Sequence, residues 1–126
     1  MILGVGVDLC EVSRMAEAIS HPRFMERVFS EAERAYLNSR GVGAAQTAAG
    51  LYAAKEAYLK ARGTGIDTLA LSSIDITHSP LGQPRYAFSG LDGIAAHLSI
   101  SHDGGMAIAL CVLERLEERK PTDERS

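Results

Sequence analysis

The sequence has few residues that could form disulfide bonds or a structural metal site. It contains no tryptophan, two cysteines and four prolines in 126 residues, and aromatic side chains make up only 6% of the chain. Cys10 and Cys111 lie in apolar, strand-like stretches and have no CxxC spacing. We therefore predict buried, reduced thiols and not a disulfide, a redox pair or a zinc site.

Two further absences concern location and partners. No apolar run approaches the ~20 residues of a membrane-spanning helix, and residues 1–4 lead into a strand pattern without a basic leader or a cleavage site. We therefore expect a cytoplasmic protein that makes no membrane contact. The net charge of -3 argues against indiscriminate binding to nucleic acid.

The chain length fits one domain. With 126 residues, of which 46% are apolar, the chain can bury a core of its own. We predict a single domain over residues 1–118. A charged tail over residues 119–126, which contains Pro121, is expected to be disordered.

The first segment, residues 2–12, alternates like a β-strand, with aliphatic side chains on one face. Gly4, Gly6 and Asp8 share the other face, where the missing side chains let another element or a ligand approach the backbone. Asp8 is therefore a candidate site residue, although an aspartate can also simply end a strand and support a turn. Leu9 stands where a dinucleotide fingerprint needs its third glycine, and there is no GxxxxGK[ST] motif.

Short helices follow. Ser13 is predicted to cap a helix through about residue 20, and a second helical piece spans residues 23–29 after Pro22. The segment Ser30-Glu31-Ala32-Glu33 has capping-box spacing and starts a third helix, which ends by Gly41.

This region is slightly basic in an acidic protein, and Arg23 and Arg27 lie one helical turn apart. Together with Arg14, they permit two interpretations. One is a solvated surface of mixed charge, and the other is a docking face for an acidic protein partner.

A long helix is predicted from about Ala44 to Arg62, with Gly63 and Gly65 forming its C-cap and the following loop. Glu56 lies one turn from Tyr52 and from Lys60, on a surface of small alanines where a carboxylate is shielded. The simplest alternative is an exposed Glu56–Lys60 ion pair, worth only about 0.3–0.5 kcal/mol.

The remaining sequence changes to a period of two. Ile74 and Ile76 are expected to begin a hairpin whose returning strand carries Tyr86 and Phe88. Residues 91–96 resemble a short helix, and residues 98–102 form a strand with His102 at its end. The apolar run 106–113 predicts a buried strand that pairs back across a Gly-Gly turn.

Four of these residues suggest phosphate chemistry. Asp8 and Glu56 offer hard oxygen ligands. Mg²⁺ is usually bound by one or two such carboxylates together with water and substrate phosphates. Lys60 and His102 could neutralise phosphate oxygens during transfer. A lone histidine is more often structural, and spacing alone does not bring the four residues together.

Several motifs in one order resemble the bacterial holo-acyl-carrier-protein synthases, the short-chain 4'-phosphopantetheinyl transferases, over nearly all of residues 1–118. The matching motifs are Gly4-Val5-Gly6-Val7-Asp8-Leu9 with Arg14, Arg23-Phe24 with Arg27, Ala53-Ala54-Lys55-Glu56-Ala57 with Lys60-Ala61 and Gly63-Thr64-Gly65, Asp75-Ile76 with Gly82 and Pro84, and Leu98-Ser99-Ile100-Ser101-His102.

The resemblance implies transfer of the phosphopantetheine arm of coenzyme A to a serine of apo acyl carrier protein, with release of adenosine 3',5'-bisphosphate and with Mg²⁺ as cofactor. It implies that Asp8 and Glu56 bind the metal and that Glu56 holds or deprotonates a water. Lys60 then contacts the pyrophosphate as a catalytic residue.

For substrate binding, the resemblance implies coenzyme A contacts by Lys60, Gly63, Gly65, Pro84 and His102. In the same way it implies that the carrier protein docks on arginines, namely Arg14, Arg23 and Arg27. The implied fold is α+β, with an antiparallel sheet packed against a long helix, and the implied assembly is a homotrimer with coenzyme A between subunits.

Two positions depart from the family pattern. Leu51 stands where an arginine is common, and Asp103 follows His102 where a neutral residue is usual. Both changes weaken attraction for phosphate. Two other functions stay open on the residues: a catalytically silent relative that only binds a carrier protein or coenzyme A, and a magnesium-dependent phosphohydrolase.

Overall fold

A computed structural model of the chain, in which residues 1–63, 69–87 and 92–117 are described, has the predicted α+β fold. A three-stranded antiparallel sheet packs against one long helix, and a separate two-stranded hairpin lies beside it. Over those three ranges, no helix is long and apolar enough to span a membrane.

The elements follow one another along the chain as predicted, with one exception described below. The helices are α1 (Val12–Ala18), α2 (Pro22–Val28), α3 (Glu31–Ser39) and α4 (Ala44–Arg62). The strands are β1 (Ile2–Glu11), β2 (Ile76–His78), β3 (Pro84–Tyr86), β4 (Ile94–Asp103) and β5 (Met106–Arg115). The large sheet has the order β1-β5-β4, so β1 is an edge strand.

Helix α4 lies directly on the glycine-lined face of β1. A Cβ atom added at Gly4 would collide with the carbonyl oxygen of Ala61, and one added at Gly6 would collide with that of Ala57. Small residues on both elements therefore let helix and strand approach backbone to backbone. The bare face of β1 predicts the approach of another element or a ligand, and at Gly4 and Gly6 that element is α4.

On its other side, α4 is held by a buried ion pair. Lys55 Nζ donates to both carboxylate oxygens of Glu33, at 2.7 and 3.0 Å, and to the carbonyl oxygens of Leu71 and Ile74. Glu33 also completes the predicted capping box with Ser30 at the start of α3. Desolvation by burial lowers the pKa of Lys55, and the facing carboxylate opposes that shift. This network fixes the rotation of α4 about its axis.

The opposite face of the large sheet is apolar and exposed in the single chain. We call it the apolar sheet face. Its side chains are 39% to 60% exposed. In the register, Val7 faces Leu110 and Leu9 faces Ile108 across the β1–β5 pair. The face consists of Leu3, Val5, Val7, Leu9, Ile108 and Leu110.

Three local predictions are wrong. Ser13 does not cap α1, because the helix begins at Val12 and that residue's N–H is bonded to the Gly105 carbonyl oxygen at 2.9 Å. Residues 94–96 are strand and not helix, since they pair with β5 and tertiary pairing overrides the helix propensity of alanine. The run 106–113 is buried on one side only, as Ile108 and Leu110 are exposed.

Other predictions are confirmed, and some concern residues that the structure does not describe. Cys10 and Cys111 are buried free thiols, α4 has its predicted bounds, and Gly63 ends it with a φ of 81°. The predictions for Gly65, Phe88, Leu91 and the tail 119–126 lie outside the described residues.

Candidate active site

A cleft of about 390 Å³ lies where β1, α1, α2 and α4 meet. It brings together Asp8 from β1 and Glu56 from α4, two carboxylates that are far apart in the sequence. The residues that line it are Asp8, Leu9, Cys10, Glu11, Arg14, Met15, Ala18, Phe24, Tyr52 and Glu56. Asp8 and Glu56, which were predicted as partners, thus line the same cleft.

The position of each carboxylate follows from the packing described above. Asp8 is on the glycine-lined face of β1 that packs against α4, and its side chain is 18% exposed. Glu56 follows Lys55, whose buried bonds to Glu33 fix the rotation of the helix. Each carboxylate is therefore carried by a rigid element, which favours a precise geometry.

Lys60 contacts Asp8 and not Glu56. Its Nζ donates to Asp8 Oδ1 at 2.9 Å and to the Val7 carbonyl oxygen at 3.1 Å. The hydrogen bond to Asp8 and the charge of that carboxylate raise the pKa of Lys60. The exposed Glu56–Lys60 pair that the helical spacing allowed is thus replaced by a bridge between α4 and β1.

Two neutral side chains complete the cleft wall. Burial, the charge of Glu56 and a hydrogen bond to Glu56 raise the pKa of Tyr52, so its hydroxyl stays protonated and can donate to that carboxylate. Burial and the charge of Asp8 raise the pKa of the Cys10 thiol, which disfavours the reactive thiolate. Cys10 is therefore an inert part of the wall.

The chemistry of the two carboxylates fits a small, hard cation. Asp8 and Glu56 offer oxygen ligands from facing elements, which is the number of carboxylates that Mg²⁺ commonly takes from protein. Within the described ranges, no group of three or more His, Cys, Asp or Glu side chains is arranged to hold a metal ion. Any metal between these two residues would take its other ligands from water or from substrate.

Of the three predicted docking arginines, one lines this cleft and two lie on a helix that contributes to its wall. Arg14 lines the cleft itself, on α1. Arg23 and Arg27 are exposed on α2, the helix that contributes Phe24 to the cleft wall. Within the part of the chain that the structure describes, none of the three side chains forms an ion pair.

The predicted coenzyme A residues Pro84 and His102 lie elsewhere, in a second cavity of about 180 Å³. His102 Nε2 donates to the Gln46 carbonyl oxygen at 2.9 Å, which turns the ring toward α4. Leu51 is buried in the wall of this cavity and brings no charge to it. The protomer therefore does not bring His102 into the cleft that contains Asp8.

Sequence reasoning missed an aromatic pair in the second cavity. The rings of Tyr36 and His78 stack with centroids 4.5 Å apart, and the Arg40 guanidinium lies 5.7 Å from the Tyr36 ring centre. Burial and the charge of Arg40 lower the pKa of His78. No sequence signal links the pair, since one residue is on α3 and the other on β2. Tyr52, in contrast, could have been nominated from its spacing of one turn from Glu56.

Comparison with known proteins gives concordant matches. The family model of the 4'-phosphopantetheinyl transferase superfamily matches residues 4–111. A holo-[acyl-carrier-protein] synthase from Oceanobacillus iheyensis is 40% identical over 119 residues, which cover 93% of this chain and 100% of the relative. One from Geobacillus kaustophilus is 40% identical over 126 residues, covering 98% and 97%.

The fold has a close counterpart among solved structures. The crystal structure of a holo-(acyl-carrier-protein) synthase from Bacillus anthracis str. Ames in complex with CoA (3',5'-ADP) superposes with a TM-score of 0.82 at 38% identity. The match covers 91% of this chain and 98% of that one.

Proposed function

The chain belongs to the 4'-phosphopantetheinyl transferase superfamily, and we propose that it transfers the 4'-phosphopantetheine group of coenzyme A to a serine of apo acyl carrier protein. Adenosine 3',5'-bisphosphate is the second product. Two relatives that are 40% identical to this chain are named holo-[acyl-carrier-protein] synthases, and the match covers 100% and 97% of their length.

One observation supports this function most strongly. Asp8 and Glu56, which lie in different motifs of the sequence, line one cleft together with Arg14. A module that only docks a carrier protein needs no pair of carboxylates in its cleft, because desolvating them costs free energy without adding affinity. The pair makes chemical sense where a cation and phosphate groups come between them.

In the reaction, the serine oxygen of the carrier protein forms a bond to the phosphorus that stays on phosphopantetheine, while the bond from that phosphorus to adenosine 3',5'-bisphosphate breaks. Glu56 accepts the serine proton, directly or through a water that it holds. Lys60 directs its ammonium group at the pyrophosphate oxygens, whose charge grows in the transition state. The protein supplies orientation and charge, and no covalent nucleophile.

We propose Mg²⁺ as the cofactor, held by Asp8 and Glu56. When bound, it neutralises the developing charge on the pyrophosphate as a Lewis acid. The two carboxylates suit this ion because it binds through one or two protein carboxylates and fills its remaining positions with water and substrate phosphates.

Arg14, Arg23 and Arg27 form the proposed docking face for the carrier protein. Arg14 lines the cleft, and Arg23 and Arg27 are exposed on the helix that contributes Phe24 to its wall, which supports this assignment, since an acidic partner that docks there would present its serine to Glu56. Charge complementarity of this kind sets orientation and association rate more than affinity.

The active form is proposed to be a homotrimer with coenzyme A between subunits. Two observations support it: the apolar sheet face is exposed in the protomer, and Pro84 and His102 lie in a cavity separate from Asp8. Contiguous apolar patches that are exposed often mark interfaces between proteins. Association would cover the apolar sheet face and let the cleft of one subunit meet the second cavity of its neighbour. Gly63, at the end of α4, is proposed to contact the same ligand.

A cytoplasmic location fits this activity. Cys10 and Cys111 are buried free thiols, which are typical of reducing compartments.

The test is to incubate the protein with coenzyme A, Mg²⁺ and apo acyl carrier protein, weigh the carrier by mass spectrometry and quantify adenosine 3',5'-bisphosphate by chromatography. We expect the carrier to gain one phosphopantetheinyl group for each nucleotide released. A carrier whose acceptor serine is alanine is the control, and it should gain none.

Two results would overturn the proposal. If several apo carriers gain no mass, the protein is a silent binding relative. If coenzyme A is cleaved at the same rate without any carrier, it is a phosphohydrolase that delivers the phosphoryl group to water.

A further inference from the structure

Lys60 has a contact that its proposed role at the pyrophosphate does not explain. From the last turn of α4 it reaches across to β1, where its Nζ donates to Asp8 Oδ1 at 2.9 Å and to the Val7 carbonyl oxygen at 3.1 Å. The Lys60 side chain is 55% exposed, whereas that of Asp8 is 18% exposed. The carboxylate is thus largely withdrawn from solvent and has the lysine as its counterion.

The carbonyl group of Val7 helps to hold the Lys60 ammonium group next to Asp8. Because β1 is an edge strand, carbonyl groups on its outer side have no neighbouring strand to bond to among the described residues. Lys60 caps one of them and pairs with the next residue at the same time. Its position is therefore held by two acceptors, one of which does not depend on the charge of Asp8.

An ammonium group and a divalent cation compete for the same carboxylate oxygen, because two positive charges a few ångströms apart repel each other. Glu11 also lines the cleft, but no group of three His, Cys, Asp or Glu side chains among the described residues is arranged to hold a metal ion, so the cleft cannot compensate for the repulsion with a third acidic ligand. Phosphate oxygens of a substrate can do so, since they add ligands for the metal and also accept the displaced lysine.

We propose that Lys60 is the resident counterion of Asp8 in the substrate-free protein and that it moves from Asp8 to the substrate's phosphates when metal and substrate bind. The inference rests on the proposed function, because it takes Asp8 as a metal ligand and a pyrophosphate as the substrate group. It implies that the metal alone binds weakly and that the metal and the pyrophosphate strengthen each other's binding.

The test uses Mn²⁺ as the probe and needs no turnover. Free Mn²⁺ is measured by electron paramagnetic resonance while the full-length protein is titrated without coenzyme A. Because the competing cation is gone, we expect Lys60→Met to bind Mn²⁺ about three- to tenfold more tightly than the wild type. Lys60→Arg, which keeps the charge, should stay near the wild type.

The matched control is Arg62→Met. Arg62 is on the same turn of α4, but its guanidinium lies 5.9 Å from the ring centre of Tyr58 and has no contact with Asp8 in the structure. The control removes the same charge without freeing the carboxylate, so its Mn²⁺ affinity should not change. Equal tightening in both variants, or none in Lys60→Met, would overturn the inference.

A double variant identifies the site. Asp8→Asn in the Lys60→Met background should abolish the gain in affinity, and persistence of the gain would place the ion elsewhere and refute the inference. The transfer assay remains independent. If the wild type transfers phosphopantetheine but Lys60→Met does not bind Mn²⁺ more tightly, only the counterion role is overturned. If Lys60→Met binds Mn²⁺ more tightly but the wild type transfers nothing, only the proposed function is overturned.

Discussion

Gly6 is the position where one added methyl group should separate the two carboxylates of the cleft. In Gly6→Ala, the new Cβ would collide with the Ala57 carbonyl oxygen and lie 2.7 Å from the Ala61 nitrogen and 3.0 Å from the Ala57 carbonyl carbon. All three are backbone atoms of α4, which cannot move aside as a side chain can. The helix must therefore shift away from β1.

The size of the effect follows from that geometry. Restoring ordinary contact distances requires a displacement of about 1 Å, and overpacking of this kind costs about 1–3 kcal/mol, with the upper end expected for backbone against backbone. For a domain of this size, that lowers Tm by about 10 °C. Because Glu56 moves with the helix while Asp8 stays on the strand, kcat should fall about 100-fold.

The measurements are urea and thermal unfolding together with the rate of phosphopantetheine transfer. Gly43→Ala is the control, since an added Cβ there has nothing within 4 Å and its φ is -85°. It should change stability by less than about 0.5 kcal/mol and leave kcat unchanged. If Gly6→Ala behaves like Gly43→Ala in stability and rate, the close approach of β1 and α4 does not hold the site together.

Three further predictions test other parts of the account. Arg14→Glu should raise the KM for the carrier protein about tenfold or more while changing the KM for coenzyme A little, and equal effects on both would count against a docking role. Lys55→Met should lower stability by about 3–5 kcal/mol, because it leaves Glu33 buried without its counterion, as urea unfolding can measure. Val5→Glu should convert the proposed trimer to monomers in light scattering and reduce transfer, whereas the exposed control Thr77→Glu should do neither. A monomeric wild type would refute the proposed assembly.

The elements that the sequence predicted well are those defined by local signals. The capping box at Ser30 and Glu33 and the glycine after Arg62 mark helix ends through bonds to the adjacent backbone, so they are readable from the sequence alone. The alternation of β1 also reports its pleat directly. Residues 94–96 show the limit of such signals, because their pairing with β5 depends on a strand that follows later in the chain.

The site was predictable to a similar extent. The motifs identified Asp8 and Glu56 as candidates, and the structure places both in one cleft. Helical spacing suggested Lys60 as a partner of Glu56, but the long side chain reaches the neighbouring strand and pairs with Asp8. The partner of Lys55 was not predictable, since Glu33 meets it only through the packing of α3 on α4.

The central claim is that Glu56 takes part in phosphopantetheine transfer, and replacing this residue tests the claim most directly. The measurement is the intact mass of apo acyl carrier protein after incubation with coenzyme A, Mg²⁺ and either the wild type or Glu56→Gln, with circular dichroism to verify that the variant is folded. We expect the wild type to add one phosphopantetheinyl group and the folded variant to add almost none, since the amide keeps the shape and removes the charge. Equal mass gain with both proteins, or no gain with the wild type, would contradict it.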